Sequence, residues 1–469
     1  MEQIFREKPW PYIINLIIMP ILLALSIILI GIDYTNISML ILAAIFLIIM
    51  LVLNLDILVY LLLAFWPIAT TYLPEDQTTP VWLLIGFFIA LSLLPRLITG
   101  KKFNLLPKEI TIFFCIFWLL VILSNVNNLH NINLEVNIRI LVYTAIVFVF
   151  YDWSFNKEPT YILISICIPL IITIVLALTI FIQNPSIVSL MQMAFMRFTA
   201  IVKNPNVLGG YLNIIIPVIF AFVIMKYPPK YYRLNLSILC LAIFCLVLTN
   251  SRSAYLGVGL SIIIISVIYK RMRLILAILI FAVLSAYFLL PIVQQLAVIF
   301  LRSGTDITSG RADVWIATLK AIKGHYIFGV GLGNQAEYIT AEVPTAFLRH
   351  LFEGISGSHN LFIDKALELG ILAIPLFLYL YYSFAKIIIT NHKLNIPLIF
   401  KTLNVAGLGV LISTFIRSLF EGSVLIQQGG IFPIFYAWIV LFWPMQIYQR
   451  SNSKRLCRQF GQEIEGQNT

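Results

Sequence analysis

A histidine and an amide, His359 and Asn360, stand side by side at the mouth of the apolar stretch LFIDKALELGILAIPLF, which also holds Asp364 and Glu368. Neutral imidazole near pH 7 can take a proton from a hydroxyl or orient it. Carboxylates inside an apolar span are costly, and those that persist are usually paired or functional. Asp364 and Glu368 are one helical turn apart and share a face. Arg417, near the end of the following apolar run, is a possible partner for either. Ser358 is a suitable N-cap, which puts His359 at the opening of a helix on a water–lipid boundary. On its own, an interfacial histidine reads more readily as structural than as catalytic.

Two more arginines stand apart from the basic clusters. Arg252, in LTNSRSAYLGVGL, falls between two apolar runs that almost touch. It reads either as an anchor that snorkels to lipid headgroups or, with Asn250, Ser251 and Ser253 beside it, as part of a binding site. Arg311 lies in TDITSGRADVWIATLKAIKG. There Val314, Ala317, Thr318, Ala321 and Ile322 form an apolar stripe at helical spacing, with Lys320 and Lys323 off it. Ser309 can cap this short amphipathic helix and Asp313 suits its first turn. Arg311 then sits in that turn, where free backbone N–H groups favour anions; an ordinary surface helix has the same pattern. A guanidinium fork suits a phosphate better than a lysine does. The chemistry these residues could perform is therefore an anion held by arginines beside a general base.

The elements that position them are membrane helices. The chain is 61% hydrophobic and 11% charged, and runs of about 20 apolar residues, enough to cross a bilayer, recur along it. Spans are expected near 12–31, 38–54, 57–73, 80–98, 109–126, 136–153, 158–182, 205–226, 232–249, 251–269, 272–291, 361–389, 400–421 and 430–448. This is an all-α polytopic membrane protein with about 12–14 transmembrane helices. The first apolar run, Pro11 to Ile32, is too long for a signal-peptide core and reads as a retained span.

The net charge of +11 is explained by topology rather than by a nucleic-acid partner. Lys and Arg collect at Arg6/Lys8, Lys101/Lys102/Lys108, Lys226/Lys230/Arg233, Lys270/Arg271/Arg273, Lys393/Lys401 and Arg450/Lys454/Arg455/Arg458. Alternating spans put all of these on the side of the N-terminus, and short basic loops stay in the cytoplasm. Both termini are then cytoplasmic. The segments 127–135, 183–204, 250–251, 292–360 and 422–429 are exported, and His359 lies outside. A smaller external set remains: Arg197, Lys203, Arg252, Arg302, Arg311, Lys320, Lys323, Arg349 and Arg417. Several arginines at outer span ends suggest an anion held at that surface.

Other motifs exclude more than they suggest. Gly329-Val330-Gly331-Leu332-Gly333 has neither the preceding strand nor the spacing of a dinucleotide-binding loop. Asn184-Pro185 and Asn204-Pro205-Asn206 lie in one loop, not in two symmetric halves as an aquaporin requires; the second more plausibly starts a helix with Pro in its first turn. No cysteine falls in the long external loop, so a disulfide or a Cys-ligated metal there is ruled out.

Taken in order, Asn204-Pro205-Asn206, Ser251-Arg252-Ser253, SGRADVW, HYIFGVGLGN and Ser358-His359-Asn360 resemble the bacterial O-antigen ligase and O-antigen polymerase superfamily. The family's ligase pattern is His-Asn, nine residues, then Gly-x-x-small; here His359-Asn360 is followed by Gly370 and Ala373. Tyr326 stands where the family often has Pro, and Ala373 is not its usual last residue. The resemblance covers roughly 200–440. It implies helices 1–199 as an N-terminal membrane region, 200–448 as a ligase-like core containing the external loop 292–360, and 449–469 as a cytoplasmic tail.

The resemblance further implies a GT-C-type fold in the cytoplasmic (inner) membrane. Its activity would be metal-independent transfer, with inversion and without a cofactor, of a glycan from undecaprenyl diphosphate to an acceptor hydroxyl on the outer side. The acceptor would be lipid A-core, a glycan or another hydroxyl, as in lipopolysaccharide or exopolysaccharide assembly. By motif, His359 carries the catalytic role and Arg252 and Arg311 bind the donor diphosphate. Asn360, Arg417, Glu368 and Asn206 support the site or position the acceptor. The alternatives are a repeat-unit polymerase and a bicarbonate transporter-like protein. An ion-coupled transporter should carry inverted repeats or ionisable groups near the bilayer midplane, and the polar groups here crowd at the outer face instead.

Overall fold

The structure is a computed structural model that describes residues 59–61, 63–64, 67, 100, 103–155, 157–183, 198–200, 202, 204–271, 311–342, 357–422 and 431–467. The chain divides into two compact units, Met1–Leu63 and Ala64–Thr469. In the first, residues 59–61 and 63 are helical.

The second unit holds α1 (Lys108–Asn127), α2 (Leu134–Phe155), α3 (Pro159–Gln183), α4 (Pro205–Ile224), α5 (Tyr232–Thr249) and α6 (Arg252–Ile268). After these come α7 (Arg311–Gly324), α8 (Gln335–Glu342), α9 (Leu361–Leu369), α10 (Ala373–His392), α11 (Leu398–Ser418) and α12 (Ile431–Gln467). Among the described residues every regular element is a helix. Seven are long and apolar enough to cross a membrane: α1 to α4, Pro229–Thr249 ending in α5, α10 and α11. The chain is thus a multi-pass, all-helical membrane protein.

Seven expected spans, from 109–126 to 251–269 and then 400–421, match α1 to α6 and α11 to within three residues. The expected span 430–448 is the first half of α12, which continues through the expected tail to Gln467. The spans 12–31, 38–54, 80–98 and 272–291, and most of 57–73, lie outside the described residues.

α4 is the axis of the bundle. It is apolar on every side, and Leu208 to Ile224 is buried throughout, the pattern of a helix surrounded by others. Small residues let its neighbours approach, as in other membrane bundles. A Cβ on Gly409 of α11 would come within 2.8 Å of Pro217, and one on Gly257 of α6 within 2.3 Å of the Asn213 side chain. Outer faces of α1, α3 and α5 expose Leu119, Ile122, Ile171, Val175 and Val247, as suits helices whose solvent is lipid.

The expected single span 361–389 is two helices, α9 and α10, broken at Gly370. The loop Tyr326–Asn334 is the cause. Val330 and Gly331 donate backbone N–H groups to the carbonyls of Leu367 (2.9 Å) and Glu368 (3.0 Å), and Ile371 N–H donates to Tyr326 O (2.9 Å). The loop thereby satisfies carbonyls that a continuing helix would have bonded. Gly370 adopts φ +88°, and a Cβ there would lie 2.0 Å from the carbonyl oxygen of Ile327. The glycine-rich motif is a backbone cap on α9.

Helix ends sort by charge. The starts of α4, α6, α7 and α9 gather with the end of α11. The opposite ends carry Lys226, Lys270, Arg271, Lys393 and Lys401, and Tyr269 meets His392 there (Oη to Nδ1, 3.4 Å).

Candidate active site

His359 is fixed before any ligand arrives. Asn360, not Ser358, is the N-cap of α9: its side-chain oxygen accepts from the N–H groups of Phe362 (3.0 Å) and Ile363 (3.2 Å). Its amide donates to Leu419 O at the end of α11 (3.1 Å). Ser358 is held instead from both sides. Its N–H donates to the Asp364 carboxylate (2.6 Å), and its carbonyl accepts from the Trp315 indole of α7 (2.9 Å). Between these anchors His359 takes a left-handed φ of +58°, a conformation uncommon outside glycine. Such strained residues cluster at functional sites. Its side chain remains 37% exposed, enough to meet a ligand.

The ring faces Glu421, three residues beyond α11. One oxygen of this carboxylate accepts from Arg311 Nη2 at 3.0 Å, and the other lies 3.6 Å from His359 Nδ1. Arg311 is the first residue of α7 and is half-buried. That helix buries Val314, Ala317, Thr318, Ala321 and Ile322, the expected stripe. Burial alone would raise the Glu421 carboxyl, but contact with His359 and the charges of Arg417 and Arg311 bring it down to about 2. It is a buried, ionised carboxylate ringed by three cationic or potentially cationic groups.

Arg417 is itself buried. Nη2 donates to the backbone carbonyl of Asn206 (3.1 Å), so Asn206 contributes its carbonyl here. The guanidinium lies flat on Gly210, where a Cβ would come within 2.7 Å. Among the described residues, its Nε has no hydrogen-bond partner. Arg252 begins α6, and Ser251 before it packs on Gly209, next to the Gly210 that carries Arg417. The two arginines thus border one turn of α4.

Arg417 does not pair with Asp364 or Glu368 as expected; its acidic neighbour is Glu421. Asp364 clasps Ser358 and lies against Gly357 and Gly422, and burial, outweighing the hydrogen bonds from Ser358, raises its carboxyl to about 6. Glu368 is turned away from His359. It is buried, pairs with Lys365 and accepts from Gly333 N–H at 3.0 Å, so it secures the glycine loop. His325 packs edge-on against Tyr338. Glu421 was not singled out from the sequence; its signal was a lone acid one helical turn after Arg417 at the end of a span.

The arrangement can bind an anion through guanidinium groups and hold a base beside it. No curated protein matches the chain. Residues 236–378, which carry Arg252, Arg311, the glycine loop and His359, match the model of the O-antigen ligase family, so this segment is similar to the O-antigen ligase and polymerase superfamily.

Proposed function

We propose that this membrane protein transfers a glycan from a polyprenyl diphosphate, undecaprenyl diphosphate by family resemblance, to an acceptor hydroxyl at the outer face of the cytoplasmic membrane. The observation that carries the reading is the convergence of Arg311, Arg417 and His359 on one buried carboxylate, Glu421, within or beside the ligase-matched segment. Guanidinium groups in a partly dry site suit a diphosphate whose charge grows as it leaves. Among the described residues the Nε of buried Arg417 has no partner, and buried polar groups are rarely left unmatched, so it suits an incoming acceptor.

In this reading Arg252, Arg311 and Arg417 hold the diphosphate and His359 takes the proton of the acceptor hydroxyl. The acceptor oxygen bonds to the anomeric carbon as the bond from that carbon to the phosphate oxygen breaks. The electron pair departs with the polyprenyl diphosphate. A single displacement inverts the anomeric configuration, and the charge stabilisation comes from arginines, so no metal is needed. The outward orientation is supported by the basic helix ends, which lie opposite the site, because Lys- and Arg-rich loops remain cytoplasmic.

The test is transfer by the purified protein from undecaprenyl-diphosphate-linked glycan, with EDTA present, to lipid A-core or to a second lipid-linked glycan. Release of undecaprenyl diphosphate with a new glycosidic product supports the reading. Product on lipid A-core indicates a ligase, and lengthened lipid-linked chains indicate a polymerase. Binding of donor without turnover on either acceptor would contradict it.

A further inference from the structure

The carboxylate at the centre of the cluster has a task of its own. We propose that Glu421 is a positioning residue: it fixes His359 with Nδ1–H toward the carboxylate and Nε2 toward the acceptor hydroxyl, and it holds Arg311 ready for the donor. This rests on the glycan-transfer reading and adds a residue to it.

The geometry supplies both halves. The two oxygens of Glu421 face different partners, Arg311 at 3.0 Å and His359 Nδ1 at 3.6 Å. The second distance exceeds a formed hydrogen bond, and such contacts in ligand-free sites commonly tighten when substrate binds. A carboxylate accepts only, so the nitrogen facing it must carry the proton. That leaves the Nε2 lone pair as the base. When Nε2 takes the acceptor's proton, the imidazolium formed faces an anion that is already in place. In the serine-protease triad a buried carboxylate does the same for its histidine.

Glu421 is suited to this because it stays charged while buried; its side chain is 7% exposed. Among the described residues, the charged and titratable groups around it come from several elements. Arg311 comes from α7, His359 from the loop before α9, and Arg417 from α11. Asp364 of α9 lies against the neighbouring Gly422, and Tyr381 of α10 acts on Arg417. Asp364 is occupied by Ser358, which among the described residues leaves Glu421 as the carboxylate in contact with the ring. The same contact with Arg311 keeps that guanidinium extended at the start of α7, so arriving diphosphate meets a fixed fork.

The test uses full-length protein in detergent and the transfer assay across pH. Glu421→Gln keeps the shape and removes the charge. Its kcat should fall about 10²–10⁴-fold, as expected when a catalytic histidine loses its orienting carboxylate. Donor KM should change little, because the glutamine amide oxygen still accepts from Arg311 and keeps its fork in place. The readout is this split, with kcat lost while donor KM is kept. A purely structural role would disturb donor binding along with kcat and would not give this split. If the glutamine variant fails to insert, Glu421→Asp carries the test: the charge is kept one methylene further away, so kcat should fall at unchanged donor KM. Wild-type kcat in Glu421→Gln, or wild-type kcat in Glu421→Asp, overturns the proposal. An active His359→Ala would instead overturn the underlying reading, whereas an inactive His359→Ala beside an unaffected Glu421→Gln would remove only the role of Glu421.

Discussion

Adding one methyl group at Gly370 should loosen the element that carries His359. Gly370 has φ +88° and ψ +169°, a region reserved almost entirely for glycine, and forcing another residue there costs about 1–3 kcal/mol. The new Cβ would also lie 2.0 Å from Ile327 O and 2.6 Å from Ile327 C. Both are backbone atoms, so no rotamer change relieves the clash. The loop must withdraw from α9, breaking one or two of the hydrogen bonds from Ile371 to Tyr326 and from Val330 to Leu367, both 2.9 Å long. Each contributes about 1 kcal/mol. The sum is about 2–5 kcal/mol, or roughly 4–10 °C in apparent Tm at ~2 °C per kcal/mol. Thermal unfolding in detergent, followed by tryptophan fluorescence, measures it. Gly259→Ala is the control: it lies inside α6 with nothing within 4 Å of its Cβ, and it should be neutral or stabilising by about 0.5–1 kcal/mol. If Gly370→Ala melts with Gly259→Ala, the loop does not cap α9 and the explanation of the broken span is wrong.

Three further outcomes are expected. Arg252→Lys and Arg311→Lys should each lower transfer about 10²–10³-fold, the scale for losing one donor to developing charge, because lysine keeps the charge but not the fork; the purified transfer assay measures this. Cysteines replacing exposed Lys320 and Glu337 in a cysteine-free background should react with an impermeant maleimide from outside, while those replacing Arg271 and Lys393 should not. For Glu421, the folded value of about 2 lies below the ordinary 4.5, so folding favours the ionised form. Its stabilisation, about 3 kcal/mol, is complete above pH ~4.5 and is lost as pH falls toward 2. Acid unfolding of Glu421→Gln should lack that component.

Periodicity and charge made much of the fold legible. The helix of Arg311 is a clear case, because its buried stripe is set by spacing of 3.6 residues and needs no distant information. The break at Gly370 was not legible. Apolar residues run through it without interruption, and its cause is a loop some forty residues upstream. The cap on α9 was misassigned because serine and asparagine serve equally well by type; the left-handed turn at His359, which decides between them, leaves no mark in composition. Arg417 was given the wrong acids for a related reason. Asp364 and Glu368 stood out as carboxylates in an apolar run, but their partners are Ser358, Lys365 and the glycine loop. Glu421 meets Arg311 and His359 only through tertiary folding.

The most direct test of the account is transfer by His359→Ala beside His392→Ala, which removes a histidine at the opposite end of the bundle. With purified lipid-linked donor, acceptor and EDTA, His359→Ala should insert, melt and bind donor like the parent protein. Its product formation should nevertheless fall by about 10²–10⁴, the usual contribution of a general acid–base group, while His392→Ala turns over normally. A His359→Ala protein that transfers glycan at the parent rate would contradict the account.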